Sequence, residues 1–142
     1  MTTPIIYTLI GDPVPLARPR MSGPNRIVYD SQKLIKHSLV NQLLQQHNGR
    51  PLYTGPCHLD ATFYMKMPKG MIKQTLKNTG KPHTYKPDLD NLIKMVGDIC
   101  TIHPYDDEER VLLNDDCLIA SITAKKVYDI NPRTIFTITE LK

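Results

Sequence analysis

A chain of 142 residues with 40% apolar content is large enough for one hydrophobic core and leaves no room for a second domain of ordinary size, so residues 1–142 are expected to form a single domain. Its apolar stretches fall far short of a membrane span, Met1-Thr2-Thr3-Pro4 lacks the features of a signal peptide, and three cysteines without C-x-x-C spacing point to reduced thiols; a soluble cytoplasmic protein is expected. The net charge of +4 is segregated: residues 13–87 carry twelve Lys or Arg against Asp30 and Asp60, whereas residues 88–116 carry nine acids against Lys94 and Arg110.

Such segregation suits an enzyme that attracts a polyanion to a basic surface around an acidic pocket. The plainer alternative is that each segment is simply solvated.

In chain order, Pro4 to Ile10 reads as a first strand, followed by a proline-rich connection containing Arg18 and Arg20. Ile27 to Tyr29 reads as a short pairing strand. Asp30 or Ser31 suits the cap of a helix whose apolar stripe is Leu34, Ile35, Leu39, Leu43 and Leu44, ending at Asn48-Gly49. From Cys57 to Met65 the chain alternates, with Cys57, Leu59, Ala61, Phe63 and Met65 on one face of a strand. After Pro68-Lys69-Gly70 a short helix is expected, with Lys69, Lys73 and Lys77 at four-residue spacing, stopped by Asn78-Thr79-Gly80. Those lysines form a basic edge that either meets backbone phosphates or is merely solvated.

Asp90 to about Ile102 has the period of a second main helix, with Leu92, Ile93, Val96, Ile99 and Cys100 on its apolar face. A strand from Leu112 or Asp116 to Val127 and a last strand from Thr134 to Leu141 complete the order. The sum predicts an α+β domain: a mixed β-sheet with two main helices on one face.

The segment with most chemical content is Lys86-Pro87-Asp88-Leu89-Asp90-Asn91-Leu92-Ile93-Lys94. Pro87 disfavours the α conformation at Lys86, which predicts an extended approach with Asp88 and Asp90 projecting to one side. Asp90 or Asn91 suits the helix N-cap, and Lys94 stands one turn above Asp90. Two carboxylates hold a hard divalent ion loosely, and hydrolysing a phosphodiester usually asks for a third. Asn114-Asp115-Asp116, opening the apolar run Cys117 to Ala124, supplies it, with Asp116 preferred and Asp115 in reserve. Against this stand ordinary roles: an acid capping a helix, and Lys94 paired on the surface with Asp90 or Asp98.

Other groups carry less. Asp106-Asp107-Glu108-Glu109 lacks the glycine and spacing of an EF-hand and reads as a solvated loop, and Cys100 and His103 have no second pair to complete a zinc site. Tyr53, Tyr64, Tyr85 and Tyr105 suit a core or dimer seam better than base stacking.

Together these residues resemble the RusA-type Holliday junction resolvases, endonucleases of bacteria and their phages and prophages. The likeness rests on Asp88-Leu89-Asp90-Asn91-Leu92 with Lys94, and on Asp115-Asp116 followed by an apolar strand ending in Lys125-Lys126. It extends to Gly11-Asp12-Pro13-Val14-Pro15, Ala17-Arg18-Pro19-Arg20 and Val28-Tyr29. The resemblance implies a RusA-like fold, catalytic and metal-binding acids at Asp88, Asp90 and Asp116, and an essential Lys94. It also implies Mg²⁺ as cofactor with Mn²⁺ as substitute, no organic cofactor, and a homodimer making paired nicks in four-way DNA junctions during recombination and repair. Arg18, Arg20, Lys69, Lys73, Lys77, Lys125 and Lys126 are the expected DNA contacts. The alternatives are a noncatalytic basic DNA-binding protein of the same fold and a small nucleotide phosphohydrolase.

Overall fold

The strict alternation between Cys57 and Met65 organises the molecule. In the computed structural model, which describes residues 4–17, 20–24, 27–29, 31–101 and 111–141 (of residues 20–22 and 27–29 the backbone alone), the first strand is β1 (Ile6–Ile10). A ribbon of β2 (Arg20–Ser22) and β3 (Ile27–Tyr29) follows, then helix α1 (Lys33–His47) and strand β4 (Cys57–Lys66). Two single turns, α2 (Lys69–Ile72) and α3 (Thr75–Asn78), lead to helix α4 (Leu89–Thr101), a 3-10 turn (Asp116–Leu118) and strands β5 (Ile119–Asp129) and β6 (Arg133–Glu140). The main sheet has the order β1-β6-β4-β5, with β4 parallel to β5 and the other pairs antiparallel. This is the expected α+β domain with a mixed sheet.

Cys57, Leu59, Ala61, Phe63 and Met65 of β4 are all buried, as their alternation predicts. Tyr7 and Leu9 of β1 pair with Phe136 and Thr134 of β6, which in turn lie opposite Ala61 and Phe63, so one buried face runs across three strands. Leu39, Val40 and Leu43 of α1, Leu92, Met95, Val96, Ile99 and Cys100 of α4, and Val111, Leu112 and Leu113 beyond it pack against this face. Each such side chain contributes about 1.5–3 kcal/mol by leaving water.

The stripe expected on α1 is rotated. Leu34 and Ile35 are exposed, and the inner face carries Lys36 and His47 beside Leu39, Val40 and Leu43. Both polar groups are satisfied: Lys36 pairs with Asp98, and His47 bonds the Tyr7 hydroxyl at 2.8 Å and the Pro51 carbonyl at 3.1 Å. Ser31 does not cap this helix, Asp30 lies outside the described residues, and the N-cap position falls on Gln32 without a capping side-chain bond. The Gln32 amide instead joins α1 to the proline-rich connection, accepting from Ala17 N–H and donating to the Pro15 carbonyl, both at 2.8 Å.

Both sheet edges are partly covered. On β1, Gln46 accepts from Thr8 N–H at 2.7 Å and donates to the Thr8 carbonyl at 2.8 Å, while Gln42 accepts from Ile10 N–H at 3.0 Å. Two glutamines one helical turn apart thus satisfy a strand edge that would otherwise invite another chain. On β5, residues 80–83 bond the C-terminal half through Tyr128 and Lys126. Its N-terminal half is more open than its apolar run suggests, with Ala120, Ser121, Ile122 and Thr123 exposed. No helix among the described residues is long and apolar enough to cross a membrane.

Candidate active site

Helix α4 begins at Leu89, so Asp88 precedes it and Asp90 lies in its first turn. That corrects the extended arrangement expected of the two acids: the same-side rule for alternate residues applies to strands, and Asp90 is already helical. The Lys86–Pro87 peptide is cis, and the Asp88 carbonyl accepts the Leu92 N–H at 3.2 Å. The Asp88 carboxylate is held by its neighbour, with Lys86 Nζ at 3.0 and 3.2 Å from its two oxygens. Both side chains are exposed, so this pair orients the acid more than it stabilises the fold.

Along α4, Asp90, Lys94 and Asp98 fall at four-residue intervals on one strip that spans roughly 12 Å from first to last. Lys94 is exposed and forms no ion pair with either acid among the described residues. Asp98 instead turns to α1, where Lys36 Nζ lies 2.8 Å from its Oδ2 and only 10% of the lysine side chain is exposed. The ordinary helix-surface pairing of Lys94 is therefore not formed.

The second acidic segment meets the third turn of this strip. Asp115 caps the 3-10 turn by accepting the Cys117 N–H at 3.0 Å, and Asp116 follows within the turn. Gly97 faces Asp116: a methyl group on it would lie 3.9 Å from the Asp116 Cβ, in ordinary van der Waals contact. The Asp116 carboxyl titrates above the usual range, first because it is partly desolvated, then because Asp115 shares a hydrogen bond and negative charge with it and Asp98 adds charge. Cys117 is raised too, chiefly by its hydrogen bond to Asp115. Negative charge here is undercompensated.

The predicted acids are thus distributed along one helix: Asp88 and Asp90 at its start, Asp116 beside its third turn, Lys94 between. Their oxygen donors are of the kind that a hard divalent cation takes. Among the described residues, however, no group of three or more His, Cys, Asp or Glu side chains stands close enough to hold an ion. Asp98, expected only as a surface partner of Lys94, adds negative charge at Asp116 instead; its four-residue spacing from Lys94 is the signal the sequence carries.

Of the expected DNA contacts, Lys69, Lys73, Lys77 and Lys125 are exposed. The expected single helix is broken into α2 and α3 at Gln74, whose φ of −127° and ψ of 53° leave the α region. Lys126 has a different position: its half-buried ammonium donates to the carbonyls of Tyr85 at 2.8 Å and Pro87 at 2.7 Å, fixing the approach to Asp88. Arg18 lies outside the described residues, as do Asp106 to Glu109, and for Arg20 only the backbone is described. The connection leading to both arginines is anchored beside the site, because Leu16 N–H donates to the Asn91 carbonyl at 3.0 Å.

The sequence profile of the family described as Endodeoxyribonuclease RusA matches residues 11–139. A protein of Bacillus subtilis (strain 168), named uncharacterized protein YqaN, is 29% identical over an alignment covering 96% of each chain.

Proposed function

The chain belongs to the RusA endodeoxyribonuclease family, and from that premise we propose that it is a divalent-cation-dependent endonuclease that resolves four-way DNA junctions by paired, symmetric nicks. The observation that carries this reading is that two sequence-distant acidic segments lie along one helix: Asp88 and Asp90 at the start of α4, and Asp116 against its Gly97–Asp98 turn. An acid serving only as a helix cap has no reason to be matched by a second acidic segment that raises its own titration range.

In this reading Asp88, Asp90 and Asp116 are the catalytic acids that would hold Mg²⁺ or Mn²⁺; as they stand they do not form one three-acid group, so an ion taken by all three would have to draw them together, with Asp115 bracing Asp116 by capping the turn. A cation bound there would supply a nucleophilic water and charge stabilisation at the phosphodiester. Lys94, exposed and without an acidic partner on its own helix, stabilises negative charge developing on the phosphoryl oxygens. Lys69, Lys73, Lys77, Lys125, Arg18 and Arg20 contact backbone phosphates, which provides affinity and register without reading sequence. Lys126 acts through the backbone that it clamps. A homodimer presents two such sites about a two-fold axis, matching the symmetry of paired nicks.

The test is cleavage of a labelled mobile four-way junction beside a linear duplex of matched sequence, with Mg²⁺ or EDTA, by the native protein and Asp90→Asn. Paired nicks confined to the native protein with junction and Mg²⁺ are expected. Tight junction binding without nicks in any lane overturns the proposal in favour of a noncatalytic DNA-binding protein. Sedimentation showing a monomer at concentrations where cleavage is complete removes the dimer.

A further inference from the structure

The two short turns between β4 and α4 invert the usual placement of apolar and polar side chains. Met71, Thr75 and Asn78 are half-buried, whereas Ile72 and Leu76 face solvent at 41% and 99% exposure. Leu76 is the most exposed large apolar residue among those described. The polar groups of Thr75 and Asn78 are engaged: the part-buried Asn78 side-chain amide donates to the Met71 carbonyl at 3.0 Å, and the Thr75 hydroxyl, on the exposed side, donates to the Ile72 carbonyl. Both bonds lie within residues 71–78 and tie the two turns into one unit, so Leu76 cannot turn inward independently of its neighbours.

The far end of this element is pinned as well. Gly80 N–H donates to the Tyr128 carbonyl and Tyr128 N–H to the Lys81 carbonyl, both at 2.9 Å. From there the chain runs through the carbonyls held by Lys126 directly into Asp88. A single exposed leucine needs no explanation. Here an apolar ridge is held outward, and its neighbours Lys69, Lys73 and Lys77 are exposed too. No Asp or Glu occurs from Ala61 to Pro87, a stretch with six lysines. Cationic charge of that density complements a polyanion, and an apolar tip within it complements exposed base faces.

We propose that the Ile72–Leu76 ridge is a wedge for branched DNA: Leu76 enters between bases at the branch point while Lys69, Lys73 and Lys77 lie along the flanking phosphates. The proposal rests on the endonuclease reading and deepens it by naming an element that distinguishes a junction from duplex. A branch point is where a wedge meets least resistance, because stacking is already interrupted there.

The experiment places 2-aminopurine at the branch point and, in a second junction, within one arm, and follows fluorescence on adding full-length protein in EDTA. The native protein is expected to raise fluorescence at the branch point and not in the arm. Leu76→Ser abolishes the rise and weakens junction binding by about tenfold, the scale of removing one buried leucine side chain, while Leu76→Met retains it. An unchanged rise with Leu76→Ser, or Leu76-dependent binding to phosphatidylglycerol vesicles with no branch-point signal, overturns the wedge. Native protein that cleaves junctions with a Leu76-independent signal sinks the wedge alone. A Leu76-dependent signal without cleavage sinks the nuclease reading alone.

Discussion

The ammonium of Lys36 on α1 lies 2.8 Å from a carboxylate oxygen of Asp98 on α4, and Asp98 in turn adds negative charge at Asp116. A buried lysine on the face of one helix thereby fixes the turn of the other against which the second acidic segment rests. Lys36→Met leaves Asp98 without this partner in a half-buried position. Removing one member of a fully buried pair costs about 3–5 kcal/mol; with Asp98 34% exposed, water offsets part of it and about 1–3 kcal/mol is expected. Urea unfolding checks this, and adding Asp98→Asn to Lys36→Met should recover most of the loss. Additive losses would show that the pair contributes no coupling.

Lys126 makes an equally specific prediction, because its two acceptors are the carbonyls that precede Asp88. Lys126→Met removes two charge-assisted hydrogen bonds, but water reaches the exposed Tyr85 side of the clamp, so a loss of about 1–2 kcal/mol is expected. The change should be local: amide exchange speeds up in the first turn of α4 and leaves β4 and β6 protected. Uniformly faster exchange would deny Lys126 a positioning role.

How much of this was legible in the sequence depends on which partner decides each feature. The alternation of β4 is a property of one strand between a core and a wetter face, and periodicity reads it directly. The inner face of α1 is decided by Asp98, Tyr7 and Pro51, which accept or share bonds with Lys36 and His47; no hydrophobic pattern signals that, and Leu34 misleads it. Of the β2–β3 ribbon only Ile27 to Tyr29 carries strand character in the sequence. The acids Asp88, Asp90 and Asp116 stood out by composition, but the approach of Asp116 to Gly97 is a tertiary contact. Lys126 looked like one more basic residue after an apolar strand. Its role as a backbone clamp needed the path of residues 80–87 along β5.

Asp116 gives a pH prediction. Its carboxyl is raised by partial desolvation, by Asp115 and by Asp98, so the folded chain holds this proton more tightly than the unfolded chain. The protonated form's contribution to stability is therefore present at low pH and is lost as pH rises from the ordinary carboxylate value of about 4 through the raised one. Asp116→Asn removes that loss and should raise the melting temperature at pH 7 while abolishing cleavage. Millimolar Ca²⁺ should raise the melting temperature of the native protein more than that of the variant. A variant less stable than the native protein at pH 7 would refute the undercompensated charge.

Lys94 separates chemistry from architecture. It is exposed on the strip between Asp90 and Asp98, and neither acid holds it among the described residues. Substitution should therefore change stability by no more than about 0.5 kcal/mol, as expected for a surface residue without special contacts. If its ammonium stabilises charge at the scissile phosphate, Lys94→Gln should lower the single-turnover cleavage rate by about 10²–10³-fold, the range seen when one preorganised electrostatic group is lost. Junction affinity should change little, since one phosphate contact among many is removed. Lys94→Arg, which keeps the charge with a different donor geometry, should recover part of the rate. A cleavage rate that follows junction affinity across these variants would make Lys94 a binding residue; an unchanged rate would remove it from the site.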